Sequence, residues 1–205
     1  MNAEQRKTKA FAVVLLAAGS STRLGQPKQL LRFGSETLVE HAARTGIDSG
    51  ASEVIVVVGS DASDILECLA GLPVKTVYNP DHKQGIGSSI GAGVRALPDN
   101  IACVVLALVD QPLVTPDHLH NLASLQLETG APVAASAYNG VLGVPAAFGR
   151  VMFSQLTNLP GDTGARHLIK NNAREVIPFA NASVDIDTLE EYERLADLKR
   201  PKNPL

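Results

Sequence analysis

Unbroken apolar runs constrain the fold of this chain more than any other feature. They occupy residues 11–15, 54–58 and 101–109, and they contain only aliphatic, aromatic or thiol side chains. An unbroken run of this length suits a strand that is buried on both faces, as in a parallel sheet covered by helices. Weaker strand patterns occur at residues 74–78 and 133–138.

Helical patterns separate these strands and indicate how the elements connect. Strands that alternate with helices form βαβ units with right-handed crossovers. Past residue 132 the alternation is looser, with short strands at 145–148 and 175–178. The sequence therefore predicts an α/β fold with a mostly parallel central sheet. The predicted helical segments are 38–49, 63–69, 88–97, 116–128, 163–171 and 188–198.

The loop after the first apolar run is rich in small, hydroxylated and cationic residues, and it reads L-A-A-G-S-S-T-R-L-G-Q-P-K. Successive backbone N–H groups of Gly19, Ser20 and Ser21 are suited to an anion-binding concavity. Arg23 and Lys28 supply positive charge for phosphate oxygens. The spacing matches neither a Walker loop nor the dinucleotide fingerprint. A buried strand that feeds such a loop is nevertheless where open α/β sheets bind nucleotides.

Acidic residues follow the longest apolar run and precede the last predicted helix. Asp110 ends the strand predicted at 101–109, where a carboxylate together with nucleotide phosphates suits Mg²⁺. Alternation places Asp185 and Asp187 on one face of a short extended segment, so either can complete a two-carboxylate site with Asp110. Asp187 or Thr188 is also a good helix N-cap, with a glutamate three residues later.

Two further segments combine glycine with polar side chains. Residues 79–89 read N-P-D-H-K-Q-G-I-G-S-S, and their last residues open a helix whose N–H groups favour anionic or polar ligand groups. Residues 159–166 read L-P-G-D-T-G-A-R and suit a loop that grips an anionic substrate through Arg166. The alternative is a helix N-cap, at Ser88 in the first segment and at Asp162 or Thr163 in the second.

Composition excludes several other classes of function. The formal net charge is −3 and aromatic residues make up only 4%, without Trp, which argues against nucleic-acid binding. The apolar runs are too short to span a bilayer and the polar N-terminus lacks a signal-peptide pattern, so a cytoplasmic protein is expected. Cys68 and Cys103 are expected to be buried and reduced. The histidines at 41, 118, 120 and 167 lack metal-ligand spacing and are expected on the surface or in packing.

These motifs resemble those of nucleotidyltransferases that move an NMP from an NTP onto an acceptor. The loop is similar to the signature L-A-A-G-x-S-x-R-[ML]-G-x-P-K, and D-Q-P at 110–112 and I-D-T at 186–188 match further elements. The strongest resemblance is to the MocA-like molybdenum cofactor cytidylyltransferases, within the MobA-related NTP-transferase family. It implies a Rossmann-like three-layer fold with a mostly parallel central sheet and a smaller mixed acceptor-binding region.

The resemblance also implies roles for individual residues. Arg23, Lys28 and Asp110 are expected to act in catalysis, while Asp110 and Asp187 bind the metal, Asp187 being favoured over Asp185. Residues 140–148 are expected to form a loop on the acceptor side. Nucleotide-binding positions are Leu16, Ala17, Ala18, Gly19, Ser20, Ser21, Arg23, Lys28, Asn79, Gly85, Ser88, Ser89 and Asp110. Acceptor-binding positions are Gln111, Pro112, Gly143, Pro145, Gly161, Asp162, Gly164 and Arg166.

Two positions depart from the motifs that the chain resembles. His82 stands where the family pattern often has Trp. Val144 replaces a polar residue before proline, so acceptor contacts at this position must be apolar or made by the backbone.

The resemblance implies an Mg²⁺-dependent transfer of CMP from CTP to molybdopterin, with release of pyrophosphate. One nucleotidyltransferase domain is expected over residues 1–205, with a flexible N-terminus (1–10), a nucleotide-binding half (11–130) and an acceptor and metal half (131–205). The expected state is a monomer or weak dimer. A molybdoenzyme or its chaperone is a further expected partner.

Other functions remain open at this point. Within the same chemistry they are guanylyl transfer from GTP to the same acceptor and cytidylyl transfer to methylerythritol phosphate. From another class, the chain is interpretable as a nucleotide-binding cofactor chaperone without turnover. The residues A-A-G in the first loop, where guanylyl-specific relatives more often have G-G, favour CTP by analogy.

Overall fold

The computed structural model describes residues 10–19, 24–60 and 62–199. Its strands are β1 (Ala10–Leu16), β2 (Arg32–Phe33), β3 (Glu36–Thr37), β4 (Glu53–Val58), β5 (Lys75–Tyr78), β6 (Ile101–Leu108), β7 (Val133–Tyr138), β8 (Val141–Gly149) and β9 (Ala173–Pro178). Its α-helices are α1 (Leu38–Asp48), α2 (Ala62–Cys68), α3 (Ile86–Arg95), α4 (Pro116–Thr129), α5 (Phe153–Thr157), α6 (Arg166–Asn172) and α7 (Leu189–Lys199). Short 3₁₀ helices lie at Lys28–Leu30, His82–Gln84, Arg150–Met152 and Ala180–Ser183.

A central sheet organises the described part of the chain. Its seven strands follow the order β5-β4-β1-β6-β8-β7-β9. Strand β1 pairs in parallel with β4 and β6, and β4 with β5, whereas β8 is antiparallel to both of its neighbours. Strand β9 is again parallel to β7. The predicted mostly parallel sheet is thus confirmed, and the looser pattern past residue 132 corresponds to its mixed part.

Both faces of the sheet are buried, which explains the unbroken apolar runs. Along β1, Val13 packs into one core cluster with helices α1 and α4, and Val14 packs into a second cluster with α3 and α6. Both side chains are fully buried, as are Val104 and Val105 on the neighbouring β6. Since alternate residues of a strand point to opposite faces, a strand between two helical layers has no polar side. The expected three-layer fold is confirmed.

Strand β8 confirms the strand predicted at 145–148, but it begins at residue 141, so the loop expected over 140–148 was wrong. Strand β8 covers residues 141–149 and pairs with β7 across a two-residue turn. In that turn Asn139 and Gly140 both have positive φ, 48° and 74°. Asn-Gly is the preferred pair for a tight hairpin turn because both residues tolerate this conformation. The dipeptide was present in the sequence as a hairpin signal.

Several helix boundaries also differ from the prediction. Helix α3 begins at Ile86 with Gly85 as N-cap, so Ser88 lies within its first turn and is not the cap. Helix α6 begins at Arg166 after Ala165, without a side-chain cap, so neither Asp162 nor Thr163 caps it. The short helix α5 was not predicted at all.

Other helix ends are fixed by hydrogen bonds that the sequence signals. Thr37 and Glu40 form a capping box at α1, and these hydrogen bonds lower the pKa of the Glu40 carboxyl. Thr115 accepts from the backbone N–H of His118 at the start of α4. Within the described residues, no helix combines the length and apolar character needed to cross a membrane.

Candidate active site

The carboxyl ends of β1 and β6 open into a cleft of about 510 Å³. Because the two strands are parallel neighbours, the residues that follow them lie at the same edge of the sheet. The first loop and Asp110, predicted from separate motifs, therefore meet in one place. The cleft is lined by Leu16, Ala18, Gly19, Lys28, Gln29, Ser60, His82, Lys83, Gly85, Ile86, Ser89, Leu108, Val109 and Asp110.

Lys28 joins the two predicted metal-binding carboxylates. Its ammonium donates to Asp110 Oδ2, and across 3.1 Å to Asp187 Oδ1. The side chains of Lys28 and Asp110 are 18% and 13% exposed, while that of Asp187 is 45% exposed. One cation and two anions from three distant parts of the sequence thus converge at the mouth of the cleft.

The buried Ile186 places Asp185 and Asp187 near Asp110. The backbone N–H of Ile186 donates to the Asp110 carbonyl across 3.0 Å. The Ile186 side chain is fully buried in the core. Asp185 and Asp187 flank it and are partly exposed, as the predicted alternation required.

Capping of α7 does not occupy the Asp187 side chain. Glu191 Oε2 accepts from the backbone N–H groups of Asp187 and Thr188, at 2.9 and 2.8 Å. Thr188 Oγ1 in turn accepts from the Glu191 N–H at 3.3 Å. Thr188 and Glu191 are therefore the capping pair, and the Asp187 carboxylate can face Lys28.

The electrostatics of the site follow from this crowding of charges. Burial by itself lowers the pKa of Lys28, but the charges of Asp110 and Asp187 and their hydrogen bonds outweigh it, so the net pKa is raised. Burial raises the pKa of Asp185, and the negative charges of Asp187 and Asp110 add to that effect. Lys28 is thus held as a cation, and the negative charge that surrounds Asp185 suits a further cation.

The residues present fit a divalent metal that is completed by a nucleotide. Asp110 Oδ1 is buried and has no hydrogen-bond partner in the described part of the chain, and such an oxygen is costly unless it is ligated. No group of three or more His, Cys, Asp or Glu side chains among the described residues is arranged to hold a metal. Mg²⁺ is commonly held by one or two carboxylates together with substrate phosphates. Asp110 and Asp187 match that ligand set.

Gln29 anchors residues 17–19 at the start of the first loop, and the motif analysis did not single it out. Its side chain is 2% exposed, and Nε2 donates to the carbonyls of Ala17 and Gly19 at 2.8 and 2.7 Å. The Ala17 N–H donates to Val57 on β4. The position of this amide directly after Lys28 and before Leu30 and Leu31 was the available signal.

Asn79 lies behind the wall of the first cleft and does not line it. It is 2% exposed, and its amide donates to Ser88 and Ser89 at 2.9 and 3.0 Å. Its Oδ1 accepts from the Asp81 N–H. Asn79 therefore positions the two serines, of which Ser89 lines the cleft.

A second cleft, of about 320 Å³, adjoins the first and shares Leu16, Ile86 and Leu108 with it. Of the predicted acceptor-binding residues, Gly143, Gly164 and Arg166 line this cleft. The remaining lining residues are Ile90, Leu106, Tyr138, Val141, Leu142, Val144, Ala165 and Ile169. Burial raises the pKa of the Tyr138 hydroxyl, helped by Asp185 and opposed by Arg166.

The other predicted acceptor-binding residues contact the protein itself. Gln111 is buried and donates to the carbonyls of Val144 and Ala182 at 3.2 and 2.7 Å. The Pro112 carbonyl lies 3.0 Å from His41 Nε2, away from both clefts. The Pro145 carbonyl accepts from Ser136 Oγ at 2.6 Å.

Gly161 and Asp162 pack against the start of α3. The Gly161 carbonyl accepts from the Gly87 N–H at 2.8 Å. A Cβ at Gly85 would lie 2.7 Å from the Asp162 Cα, and one at Gly87 only 2.1 Å from the Pro160 carbonyl oxygen. Glycine is needed at both positions for this close approach. Ser20, Ser21 and Arg23 lie outside the described residues.

The chain is similar to several known proteins over most of its length. It is 32% identical over 194 residues to the purine catabolism protein PucB of Bacillus subtilis, covering 88% of this chain and 93% of that protein. It is 33% identical over 196 residues to nicotine blue oxidoreductase of Paenarthrobacter nicotinovorans, with coverage of 89% and 94%. To the molybdenum cofactor cytidylyltransferase of Escherichia coli K12 it is 26% identical over 186 residues, with coverage of 89% and 94%.

Solved structures agree with the fold. The crystal structure of Rv0371c from Mycobacterium tuberculosis superimposes with a TM-score of 0.82 at 28% identity, covering 92% of this chain and 98% of that one. A structure of Rv0371c in complex with manganese has a TM-score of 0.76 at 25% identity, covering 92% and 98%. A family model, the MobA-like NTP transferase domain, matches residues 13–176. The chain therefore belongs to the MobA-like NTP transferase family and is a nucleotidyltransferase.

Proposed function

We propose that this enzyme transfers CMP from CTP to the phosphate of a molybdopterin-type acceptor. An oxygen of the acceptor phosphate attacks the α-phosphorus of CTP, the bond from that phosphorus to the β-phosphate oxygen breaks, and pyrophosphate leaves. The product is the cytosine dinucleotide form of the acceptor. The observation that carries the proposal is the convergence of Lys28, Asp110 and Asp187 beside the cleft at the carboxyl ends of β1 and β6.

Lys28 contributes positive charge where the triphosphate binds. Its ammonium neutralises charge that builds on the leaving pyrophosphate, so it acts mainly in the transition state. Asp110 and Asp187 would hold Mg²⁺, which when bound neutralises phosphate oxygens and draws electron density from the phosphorus. Manganese in the Rv0371c complex supports a divalent metal of this type.

The first loop is proposed to hold the nucleotide through its backbone. Gln29 donates to the carbonyls of Ala17 and Gly19, which holds the start of the loop in place before CTP arrives. Ser20, Ser21 and Arg23 are proposed to contact the triphosphate on the basis of their motif. The similarity to the cytidylyltransferase of Escherichia coli and the A-A-G sequence of the loop support CTP over GTP.

The second cleft is proposed to hold the acceptor. Within a single domain, residues 11–130 are proposed as the nucleotide-binding half, and residues 131–205 as the acceptor and metal half. The first half also supplies Asp110 to the metal and Leu16, Ile86 and Leu108 to the acceptor cleft. Unpaired Cys68 and Cys103 support a reducing, cytoplasmic location. We also propose that the enzyme is a monomer or weak dimer. It is proposed to pass its product to a molybdoenzyme or to the chaperone of one.

Pyrophosphate release is the decisive measurement. The purified chain is incubated with CTP or GTP, with and without molybdopterin, and with Mg²⁺, Mn²⁺ or EDTA. Release that requires CTP, molybdopterin and a divalent metal supports the proposal. Release with GTP but not with CTP would identify GTP as the nucleotide. Release with methylerythritol phosphate but not with molybdopterin would identify methylerythritol phosphate as the acceptor. CTP binding without any release would overturn the assignment of this reaction.

A further inference from the structure

The acceptor cleft, as proposed above, has unusually apolar walls for an enzyme that binds a phosphate ester. Ile86 and Val141 line it and are 41% and 39% exposed, although both are large apolar side chains. Leu142, Val144 and Ile169 extend the same surface. Apolar side chains left open in a concave site indicate that the ligand, and not the protein, covers them.

The main-chain carbonyls beside this wall are already satisfied by the protein. The Val144 carbonyl accepts from both Gln111 Nε2 and the Tyr138 hydroxyl, each at 3.2 Å. The Pro145 carbonyl accepts from Ser136 Oγ at 2.6 Å. A carbonyl oxygen has two lone pairs, so the Val144 oxygen has no further capacity for a ligand hydroxyl.

On one edge, the backbone of β8 pairs with β7. Val141, Leu142 and Gly143 are paired with Tyr138, Ala137 and Ser136 in the β7–β8 ladder. Gly143 allows the Tyr138 ring to lie across the strand, because a Cβ at this position would lie 2.2 Å from the Tyr138 hydroxyl oxygen. The Tyr138 hydroxyl already donates a hydrogen bond to the Val144 carbonyl.

Arg166 supplies the positive charge of the cleft. It lines the same cavity and is exposed. None of the ion pairs formed among the described residues involves it. Its guanidinium is therefore suited to an anionic group of the ligand.

We infer that the cleft selects a phosphate ester whose body is a flat ring system with apolar faces and excludes polyol phosphates. A polyol bound here would bury hydroxyl groups against Ile86, Val141 and Val144 without partners, and each such group costs free energy. A ring system with apolar faces meets no such penalty, and Arg166 contacts its anionic group. This inference rests on the proposed function because it assumes that the second cleft is the acceptor site.

The test compares two phosphomonoesters of equal charge, 2-naphthyl phosphate and ribitol 5-phosphate. Their dissociation constants are measured by calorimetry with the full chain, with and without CTP and Mg²⁺. We expect 2-naphthyl phosphate to bind at least about tenfold more tightly. The double variant Val141→Thr/Val144→Thr keeps side-chain shape and should erase most of that preference, whereas Arg166→Met should weaken both esters alike.

Val151→Thr is the matched control, because Val151 is 75% exposed and does not line the cleft. It should bind both esters as the unmodified chain does. Equal or tighter binding of ribitol 5-phosphate, unchanged preference in the double threonine variant, or no binding of either ester would each overturn the inference. Because binding is measured without turnover, a preference for the naphthyl ester can hold even if CTP proves to be the wrong nucleotide.

Discussion

The backbone N–H of Ile186 donates to the carbonyl of Asp110 across 3.0 Å, and this contact links two halves of the site. Asp110 follows β6, and Asp187 is the neighbour of Ile186 in the segment that leads to α7. Since the Ile186 side chain is fully buried, the segment cannot shift without opening the core. The separation of the two carboxylates is thus set by packing and by one main-chain hydrogen bond.

Asp110→Ala should abolish turnover while the fold survives. The substitution removes a proposed metal ligand and a partner of Lys28, so a loss of at least about a hundredfold in kcat is expected. Pyrophosphate release and the thermal midpoint are measured together. Asp99→Ala, at a fully exposed carboxylate, is the control and should keep full activity. Wild-type-like turnover of the Asp110 variant would remove this residue from the mechanism.

Lys28→Met should lower kcat by about two to three orders of magnitude and change KM for CTP much less. The reason is that the lysine charge is proposed to act mainly on the leaving pyrophosphate, which carries most charge in the transition state. Steady-state kinetics of pyrophosphate release separate the two constants. Lys83→Met removes another positive charge that lines the cleft. Comparing the two variants shows whether the effect on kcat depends on the position of the lysine. A rise in KM alone for the Lys28 variant would assign it to ground-state binding.

Ile186→Ala should reduce activity beyond its effect on stability. Removing a buried isoleucine side chain costs about 2–5 kcal/mol, and here it also loosens the segment that carries Asp187. Leu156→Ala is the matched control, since Leu156 is equally buried but lies in the core cluster on the other face of the sheet. Activity per folded molecule, with the folded fraction from denaturant titration, should fall only for Ile186→Ala. Equal specific activities would contradict a positioning role for this residue.

Gln29→Leu should weaken nucleotide binding and destabilise the fold. The leucine leaves the carbonyls of Ala17 and Gly19 without their amide donor, at a cost of roughly 1–3 kcal/mol. The loop that is proposed to hold CTP then loses its fixed conformation. Calorimetric titration with CTP should show weaker binding, and a chemical melt should show the lost stability. Gln155→Leu, on α5 and away from the cleft, should leave CTP binding intact.

His118 makes stability depend on pH. It is 4% exposed and stacks on Phe179 at 3.7 Å between ring centroids. Its Nε2 lies 2.7 Å from Ser136 Oγ, whose own proton goes to the Pro145 carbonyl, so Nε2 is the donor. Burial lowers the pKa of His118 from 6.5 to about 4. The folded state therefore keeps this imidazole neutral where the unfolded state is protonated.

Between those two pKa values the unfolded chain binds more protons, so stability rises with pH in this range and is lost as the pH falls below 6.5. The free energy of unfolding should drop by about 2 kcal/mol from pH 7 to pH 5 because of this group. Denaturant titrations across that range measure the slope. His118→Gln should flatten it, whereas substitution of the exposed His167 by Gln should not. An unchanged slope in the His118 variant would show that other groups cause it.

The sheet could be predicted from the sequence because burial of β1 and β6 on both faces requires unbroken runs of apolar residues. For 140–148 the sequence predicted a strand only at 145–148, and the resemblance implied a loop over the whole segment, although the Asn139–Gly140 pair is typical of a hairpin. The boundary of α3 was missed because Gly85, at φ 115°, caps the helix without any side chain. Ser88, three positions later, was the more obvious cap.

The candidate site, like the fold, could be predicted from the sequence only in part. Lys28, Asp110 and Asp187 were predicted from motifs, and the structure brings them together. Gln29 and Ile186 were not singled out, because their roles depend on hydrogen bonds to residues distant in sequence. Gln111 and Pro145 were predicted to contact the acceptor. The Gln111 amide nitrogen and the Pro145 carbonyl bond to the protein, whereas Gln111 Oε1 is buried without a partner in the described part of the chain. A motif identifies which residues recur together, but it does not distinguish a ligand contact from support of the surrounding chain.

Lys28 is separated by 82 residues from Asp110 and by 159 from Asp187, and this has a consequence for biosynthesis. A chain still emerging from the ribosome has the lysine and its first carboxylate long before the second has been translated. Until the segment around Ile186 docks, the incomplete protein lacks one of the two carboxylates proposed to hold the metal. The proposed site is therefore complete only after residue 187 has been translated and the segment has docked beside Asp110.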